Sequence, residues 1–269
     1  MLEIKDRQSG LELSRLGTQE SHLVAVERVV RVLRSQVQDV LSLEDMADIA
    51  CLSPYYFSRI FHNIIGIPPG EFLATLRLER AKHLLLTTSL SVTDICFEVG
   101  YSSLGSFTTR FTQLVGASPR QLRHRSKHVP LPFFTTKHDV ATGVPPAIVG
   151  PAGLTGQVHA IGVLSTVIFI GLFPKPIPQG RPVRCTMLYA PGPFAIHDIP
   201  DGRYYVMVAA FPFPDSEDPQ TCILPYEKLL VGAQGPISVH QGMAKEPVNI
   251  VLHPPRLTDP PLIMGLPYL

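Results

Sequence analysis

Proline is distributed very unevenly along this 269-residue chain. Only 4 of the 27 prolines lie in residues 1–128, and the other 23 follow in residues 129–269. Proline has no backbone N–H and is excluded from the interior of α-helices. The first part can therefore be helical, whereas the second part is expected to be mostly non-helical. Between residues 129 and 156, proline- and glycine-rich runs are typical of a linker.

Hydrophobic periodicity in the first part predicts seven helices, over residues 24–38, 42–50, 53–65, 69–87, 91–99, 103–115 and 118–124. Two of its segments repeat. SLEDMADIACLS from Ser42 is similar to SVTDICFEVGYS from Ser91, and FSRIFHNIIGIPP from Phe57 is similar to FTTRFTQLVGASP from Phe107. The second copy contains one extra residue in its turn.

Each copy contains the signals that start and end helices. A serine followed three residues later by aspartate, as in Ser42 and Asp45 or Ser91 and Asp94, is similar to a capping box. A glycine closes the second helix of each copy, and proline begins the next helix. A short helix, a tight turn and a second helix make a helix-turn-helix. The connecting helix would be about 28 Å long, which suits major grooves about 34 Å apart.

Residues 43–124 resemble the DNA-binding domain of the AraC/XylS family. The motifs that carry the resemblance are LSPYYFSRIFHNIIGIPPGEFL from Leu52, RLERAKHLL from Arg77, ICFEVGYSSLGSF from Ile95 and RFTQLVGASPRQLR from Arg110. The resemblance implies sequence-specific DNA binding and control of transcription, with activation as the family's tendency. It covers none of residues 129–269, and an N-terminal DNA-binding domain is the less usual order in this family.

The recognition helices separate an apolar stripe from an outward polar face. In the first, the stripe is Phe57, Ile60, Phe61 and Ile64, and the outward face is Tyr55, Arg59 and His62, flanked by Ser58. In the second, the stripe is Leu104, Phe107, Phe111 and Leu114, and the outward face is Gly105, Thr109 and Thr112, with Ser106 and Gln113 beside it. The resemblance implies base contacts on these outward faces.

Arg59 is the best single candidate for reading a base, because arginine can bond to both O6 and N7 of guanine. The alternatives are a surface arginine or a phosphate contact. Tyr55 is expected to pack on a thymine methyl or a sugar. Thr109 stands where many relatives have arginine, so the second copy is expected to read less sequence and to contribute more to positioning. Arg110 would serve a phosphate or an internal ion pair.

Serines at helix starts are caps or phosphate contacts, and they are Ser53, Ser102 and Ser103. A basic tail that can touch the DNA backbone consists of Arg120, Arg123, Arg125 and Lys127. The predicted DNA-binding residues are Ser53, Tyr55, Ser58, Arg59, His62, Ser103, Gly105, Ser106, Thr109 and Arg110.

The second part of the chain is rich in β-branched and aromatic residues punctuated by glycine and proline. This pattern predicts strands over residues 163–173, 183–189, 194–199, 204–211, 237–239 and 248–252. The run GPFAIHDIPDGRYYVMVAA from Gly192 resembles the prealbumin-like sandwiches of carboxypeptidase regulatory domains. The expected architecture is therefore two-domain, an all-α twin helix-turn-helix domain over 20–128 followed, after a linker over 129–156, by an all-β sandwich-like domain over 157–269. The β half would bind a small effector, or mediate dimerisation or contact with RNA polymerase.

Composition argues against an enzyme. The ten histidines lack metal-binding spacing, the four cysteines are far apart, and no nucleophile elbow, P-loop or Rossmann fingerprint occurs. We therefore expect no catalytic residues, no metal and no cofactor. The formal net charge is +5 over residues 51–128, which suits double-stranded DNA as the partner. A cytoplasmic location is expected. The alternative function is a protein-interaction module whose helical half no longer binds DNA specifically.

Overall fold

A computed structural model describes residues 2–126, 152–161, 166–212 and 229–263, with side chains from Thr18 to His124 in the first range. Residues 2–126 form seven helices: α1 (Leu2–Ser35), α2 (Leu43–Ala50), α3 (Pro54–Ile65), α4 (Pro69–Thr87), α5 (Val92–Glu98), α6 (Leu104–Val115) and α7 (Pro119–Ser126). The chain divides into two compact units, Met1–Arg77 with Leu257–Asp259 and Leu78–Arg256 with Pro260–Leu269. The division falls within α4.

The predicted helix ends are confirmed to within two residues for α2 to α7. Ser42 and Ser91 each accept the N–H of the aspartate three residues on, and that aspartate accepts the serine N–H in return, so both capping boxes are present. Gly66 and Gly116 end α3 and α6 in the left-handed conformation, at φ 88° and 91°. Only glycine adopts this conformation without steric cost.

The predicted start of the first helix is wrong, because α1 begins at residue 2 rather than 24. The apolar stripe that predicted this helix begins at Val26 and continues through Val29, Val30 and Leu33, all fully buried. Upstream of the stripe the chain contains no proline that would break a helix. The prediction began at the apolar stripe because hydrophobic periodicity was its signal for a helix.

Each helix-turn-helix has an aromatic core. In the first unit, the Phe61 ring packs edge-to-face against Phe57 and Phe72, each at 5.5 Å between centroids. In the second unit, Phe107 and Phe111 pack at 5.6 Å. Such pairs are favourable beyond the area they bury. The fully buried rings fix which side of α3 and α6 faces inward.

The described residues beyond α7 form eight strands: β1 (Leu154–His159), β2 (Thr166–Phe173), β3 (Arg184–Leu188), β4 (Pro193–Ile196), β5 (Gly202–Pro212), β6 (Leu230–His240), β7 (Met243–Ala244) and β8 (Val248–Val251). They form a three-stranded sheet in the order β4-β1-β8 and a five-stranded sheet in the order β3-β2-β5-β6-β7. The β1–β8 pair is parallel, with Val158 opposite Ile250. The other described strand pairs are antiparallel, as in β2–β5, where Ile168 lies opposite Ala210.

Buried side chains of the two sheets form one core, which includes Leu154, Val158, Ile168, Ile170, Phe194, Val206, Val208 and Ile250. The predicted linker over 129–156 is wrong at its end, because β1 begins at Leu154. This strand was not predicted because it contains Gly156. A side chain there would overlap the Val248 carbonyl and the Phe194 ring, so the strand requires a residue with low β propensity. The remaining predicted domain bounds and the sandwich stay predictions.

The strand predicted over 237–239 is longer in the structure, because β6 begins at Leu230. Its first part contains Gly232 and Gly235 and is largely exposed from Ala233 to Pro236, so it lacks the alternation that signals a strand. The short β7 was not predicted. Residues 163–165 of the strand predicted over 163–173 lie outside the described residues. No helix in the described ranges is long and apolar enough to cross a bilayer.

Candidate nucleic-acid interface

The outward face of α3 is polar, as the sequence predicted. Tyr55 is 81% exposed, Arg59 and His62 are exposed, and Ser58 is half-buried. The inward face is Phe57, Ile60, Phe61 and Ile65. Ile64 was predicted in the apolar stripe but is only half-buried. The buried stripe drifts by one residue over the helix, because 3.6 residues per turn do not return to the same angle after seven.

Arg59 lies against an aromatic ring of its own helix. Its guanidinium carbon is 5.1 Å from the centroid of the Tyr56 ring, which is a cation–π distance. The Tyr56 hydroxyl is in turn 3.1 Å from His22 Nε2 on α1. No carboxylate pairs with Arg59 among the described residues. The guanidinium therefore keeps its hydrogen-bond donors available at the exposed face. Tyr56 was not among the predicted DNA-binding residues, although an aromatic residue three positions before an arginine is its neighbour on a helix.

The N-terminus of α3 lacks a side-chain cap. Ser53 has the extended backbone of an N-cap, but its side chain makes no capping hydrogen bond. Pro54 occupies the first helical position, where proline's missing N–H leaves no extra unsatisfied donor. The hydroxyl of Ser53 and the free amides of the first turn are therefore both available to an anion.

The outward face of α6 is polar and small. Gly105, Ser106, Thr109 and Arg110 are all exposed, and Phe107, Phe111 and Val115 are buried. Leu104 was predicted in the apolar stripe, and this is wrong, because the side chain is 39% exposed. Leu104 is the first residue of α6, and the buried stripe of this helix begins at Phe107. Leu114 is half-buried, and Val115 takes its predicted position in the core.

Several polar groups of the second copy are already committed to the protein. Ser103 caps α6, accepting the Ser106 N–H at 3.4 Å. Ser102 is exposed and precedes the cap. The Thr112 hydroxyl donates to the Thr108 carbonyl at 2.7 Å, so it is less available to bases. Arg110 forms no ion pair among the described side chains, which favours the phosphate alternative over the internal pair.

Gly105 is not required by the fold of α6. A Cβ built there would meet only the Ser103 hydroxyl oxygen, at 3.8 Å. The space beside its backbone is open to solvent and to a ligand. Glycine at such a position lets another molecule approach the backbone closely.

The residues of the basic tail differ in their contacts. Arg123 donates from Nε to the Leu85 carbonyl at 3.1 Å, which fixes α7 to α4. Arg120 is exposed. The side chains of Arg125 and Lys127 lie outside the described residues. Among the described residues, no group of three or more His, Cys, Asp or Glu side chains is arranged to hold a metal ion.

A family model described as a helix-turn-helix domain matches residues 46–125. The HTH-type transcriptional activator AarP of Providencia stuartii is 32% identical over 113 residues, which cover 42% of this chain and 83% of AarP. This chain belongs to the AraC/XylS family. The bifunctional transcriptional activator/DNA repair enzyme AdaA of Bacillus subtilis is 32% identical over 102 residues, covering 38% of this chain and 48% of AdaA.

Among solved structures, the C-terminal domain of AraT, a response regulator from Geobacillus stearothermophilus, is similar. It is 35% identical, with a TM-score of 0.36, and the match covers 37% of this chain and 84% of that one. The chain spans less than half the length of the first relatives it matches, from 30% to 48%. The family model lies within the helical half, at residues 46–125.

Proposed function

We propose that this protein is a sequence-specific DNA-binding regulator of transcription. The observation that carries the proposal is the outward face of α3, where Tyr55, Arg59 and His62 are exposed opposite a fully apolar buried face. Membership in the AraC/XylS family supports it. Double-stranded DNA is the partner, and the second helix of a helix-turn-helix is the element that enters the major groove.

Arg59 reads guanine and α3 supplies most of the sequence information. The Tyr56 ring packs against Arg59 before DNA binds. Less side-chain entropy is therefore lost when the guanidinium binds a base. Tyr55 contacts a thymine methyl or a sugar, and His62 and Ser58 contact the groove beside them. Ser53 binds a phosphate with its uncommitted hydroxyl and the amides of the first turn.

The second copy positions the protein and reads less sequence. Thr109 and Ser106 offer short hydroxyl groups, Gly105 admits the DNA backbone close to α6, and Arg110 neutralises a phosphate. Ser103 holds the start of α6 rather than contacting DNA with its side chain. Contacts to phosphates fix register but carry no sequence information directly.

The β half is a sandwich-like regulatory domain that binds a small effector, mediates dimerisation or contacts RNA polymerase. The protein has no catalytic activity of its own and acts in the cytoplasm. The name of AarP supports activation as the sign of regulation. The proposed domains keep the predicted bounds, 20–128 and 157–269, except that the strand β1 already begins at Leu154. A protein-interaction module with a helical half that has lost specific DNA binding is the alternative. Against it stands Arg59, which is exposed and has no carboxylate partner in the described part of the chain.

The test is selection of duplexes from random sequence by the wild-type protein, followed by gel shifts of the selected duplex at two salt concentrations. We expect a specific complex that weakens with salt, because phosphate contacts release counterions. In Arg59→Ala, discrimination at one base pair should fall by about 1–3 kcal/mol. Arg31→Ala removes the same charge from α1, outside the matched domain, and should change only the overall affinity slightly.

Each other outcome has a distinct meaning. A specific complex that Arg59→Ala leaves unchanged would keep the function but refute the role of Arg59. Failure of the wild type to enrich any duplex, even at low salt, would favour the protein-interaction module.

A further inference from the structure

The core of the second helix-turn-helix contains a residue from the far end of the chain. Ile263 is 0% exposed and packs in the cluster formed by α4, α5, α6 and α7. The other fully buried members include Leu78, Ala81, Ile95 and Phe107. The twelve other buried members belong to the helical half, from Leu78 to Leu122. The apolar packing of this helix-turn-helix is therefore completed by the C-terminal segment, residues 260–263.

A hydrogen bond lies beside this apolar contact. The ammonium group of Lys82 on α4 donates to the Leu262 carbonyl at 2.6 Å, and Lys82 is only 3% exposed. A buried ammonium group without a hydrogen-bond partner is strongly unfavourable. The C-terminal segment thus supplies a carbonyl oxygen to a buried charge as well as a side chain to the core.

A second contact reaches the end of the recognition helix itself. The loop between β2 and β3, residues 174–183, donates the Gly180 N–H to the Leu114 carbonyl of α6 at 2.6 Å. Carbonyls in the last turn of a helix have no partner within the helix. Gly180 has φ +67°, and a Cβ there would lie 3.3 Å from the Gln113 carbonyl. The loop therefore approaches α6 as closely as glycine permits.

We propose that the β half holds the second helix-turn-helix in its DNA-binding position through these two contacts, and so regulates DNA binding by α6. The two contacts leave the outward face of α6 uncovered, since Thr109, Thr112 and Gln113 remain exposed while both are made. A change in the β half, such as ligand binding, alters DNA affinity by altering these contacts. The inference rests on the proposed function for its DNA-binding consequence, but the contacts are testable without DNA.

The experiment compares Ile263→Ser with Ile161→Ser, which makes the same change at a side chain that is 96% exposed. Hydrogen exchange of the full chain without DNA is the first readout. Ile263→Ser should speed exchange in α6 and at the Gly180 amide, whereas Ile161→Ser should match the wild type. Ile263→Val keeps the core nearly filled and should give a smaller effect in the same segments. This variant keeps the proposal testable if Ile263→Ser does not fold.

The second readout is footprinting on a duplex selected by the wild-type protein. Ile263→Ser should weaken affinity on the order of tenfold, with protection lost in the half of the duplex that α6 contacts and kept in the half that α3 contacts. Equal loss in both halves, or exchange and footprints identical to those of Ile161→Ser, would overturn the proposal. If the wild type selects no duplex, the proposed function and the DNA-binding consequence fail together, while exchange still reports whether the contacts hold α6.

Discussion

Replacing Lys82 with methionine should change how the stability of the protein depends on pH. Burial lowers the pKa of Lys82 from 10.5 to about 8, and the nearby Glu79 offsets this only in part. The folded chain therefore releases the proton at lower pH than the unfolded chain does.

Below pH 8 both states carry the charge, and the folded state bears the full cost of burying it. As the pH rises from 8 towards 10.5 the cost disappears, so the wild type gains stability.

The size of the effect follows from the shift. Each pKa unit corresponds to about 1.4 kcal/mol, so the full difference is about 3 kcal/mol, of which about 2 kcal/mol is recovered between pH 7 and pH 9.5. Methionine fills nearly the same volume without a charge, so Lys82→Met should lack this gain. The free energy of unfolding of Lys82→Met minus that of the wild type should fall by about 2 kcal/mol over this range.

Urea unfolding followed by circular dichroism suits a chain that contains no tryptophan. Groups that titrate in both proteins, such as the buried Cys96 thiol, whose pKa is raised by burial, cancel in the difference. Lys245→Met removes the same charge at an exposed site and is the matched control. A change for Lys82→Met over this pH range no larger than that of the control would refute the buried-charge reasoning.

Two glycines of the second copy should respond in opposite directions to alanine. Gly116→Ala should lower the free energy of unfolding by about 1–2 kcal/mol, because φ is 91° at this position; an unchanged melting temperature would contradict the left-handed cap. Gly105→Ala should raise it by about 0.5–1 kcal/mol, because the added methyl group meets only the Ser103 oxygen at 3.8 Å. On the proposed function the same variant binds its selected duplex more weakly, and unaltered affinity in gel shifts would mean that DNA does not approach the α6 backbone.

Local signals predict the helical half well. Capping serines, closing glycines and apolar stripes act over a few residues, so a short stretch of sequence is enough to predict them. Helix starts at Ser42 and Ser91 and helix ends at Gly66 and Gly116 are found where they were predicted. The polar outward faces follow from the same periodicity. Helix ends are predictable because the groups that satisfy them are near neighbours in the chain.

The features that escaped prediction depend on contacts between distant residues. The burial of Ile263 against α4 to α7 and the Gly180–Leu114 hydrogen bond join segments that share no sequence pattern. β1 was missed because Gly156 is required by a neighbouring strand rather than by its own. Leu104 was predicted to be buried because periodicity shows on which side of a helix a residue lies. It does not show whether neighbouring helices cover that position.

The burial of Ile263 has a consequence for biosynthesis. Residues 127–262 must leave the ribosome after α7 before this isoleucine can join the core of the second helix-turn-helix. At about 5–20 residues per second, that interval is roughly 7 to 27 seconds. Through this time the α4–α7 cluster lacks the side chain of Ile263, and Lys82 lacks the Leu262 carbonyl as an acceptor. On the proposed function, DNA binding by the second helix-turn-helix is therefore delayed until residues 262 and 263 have been synthesised.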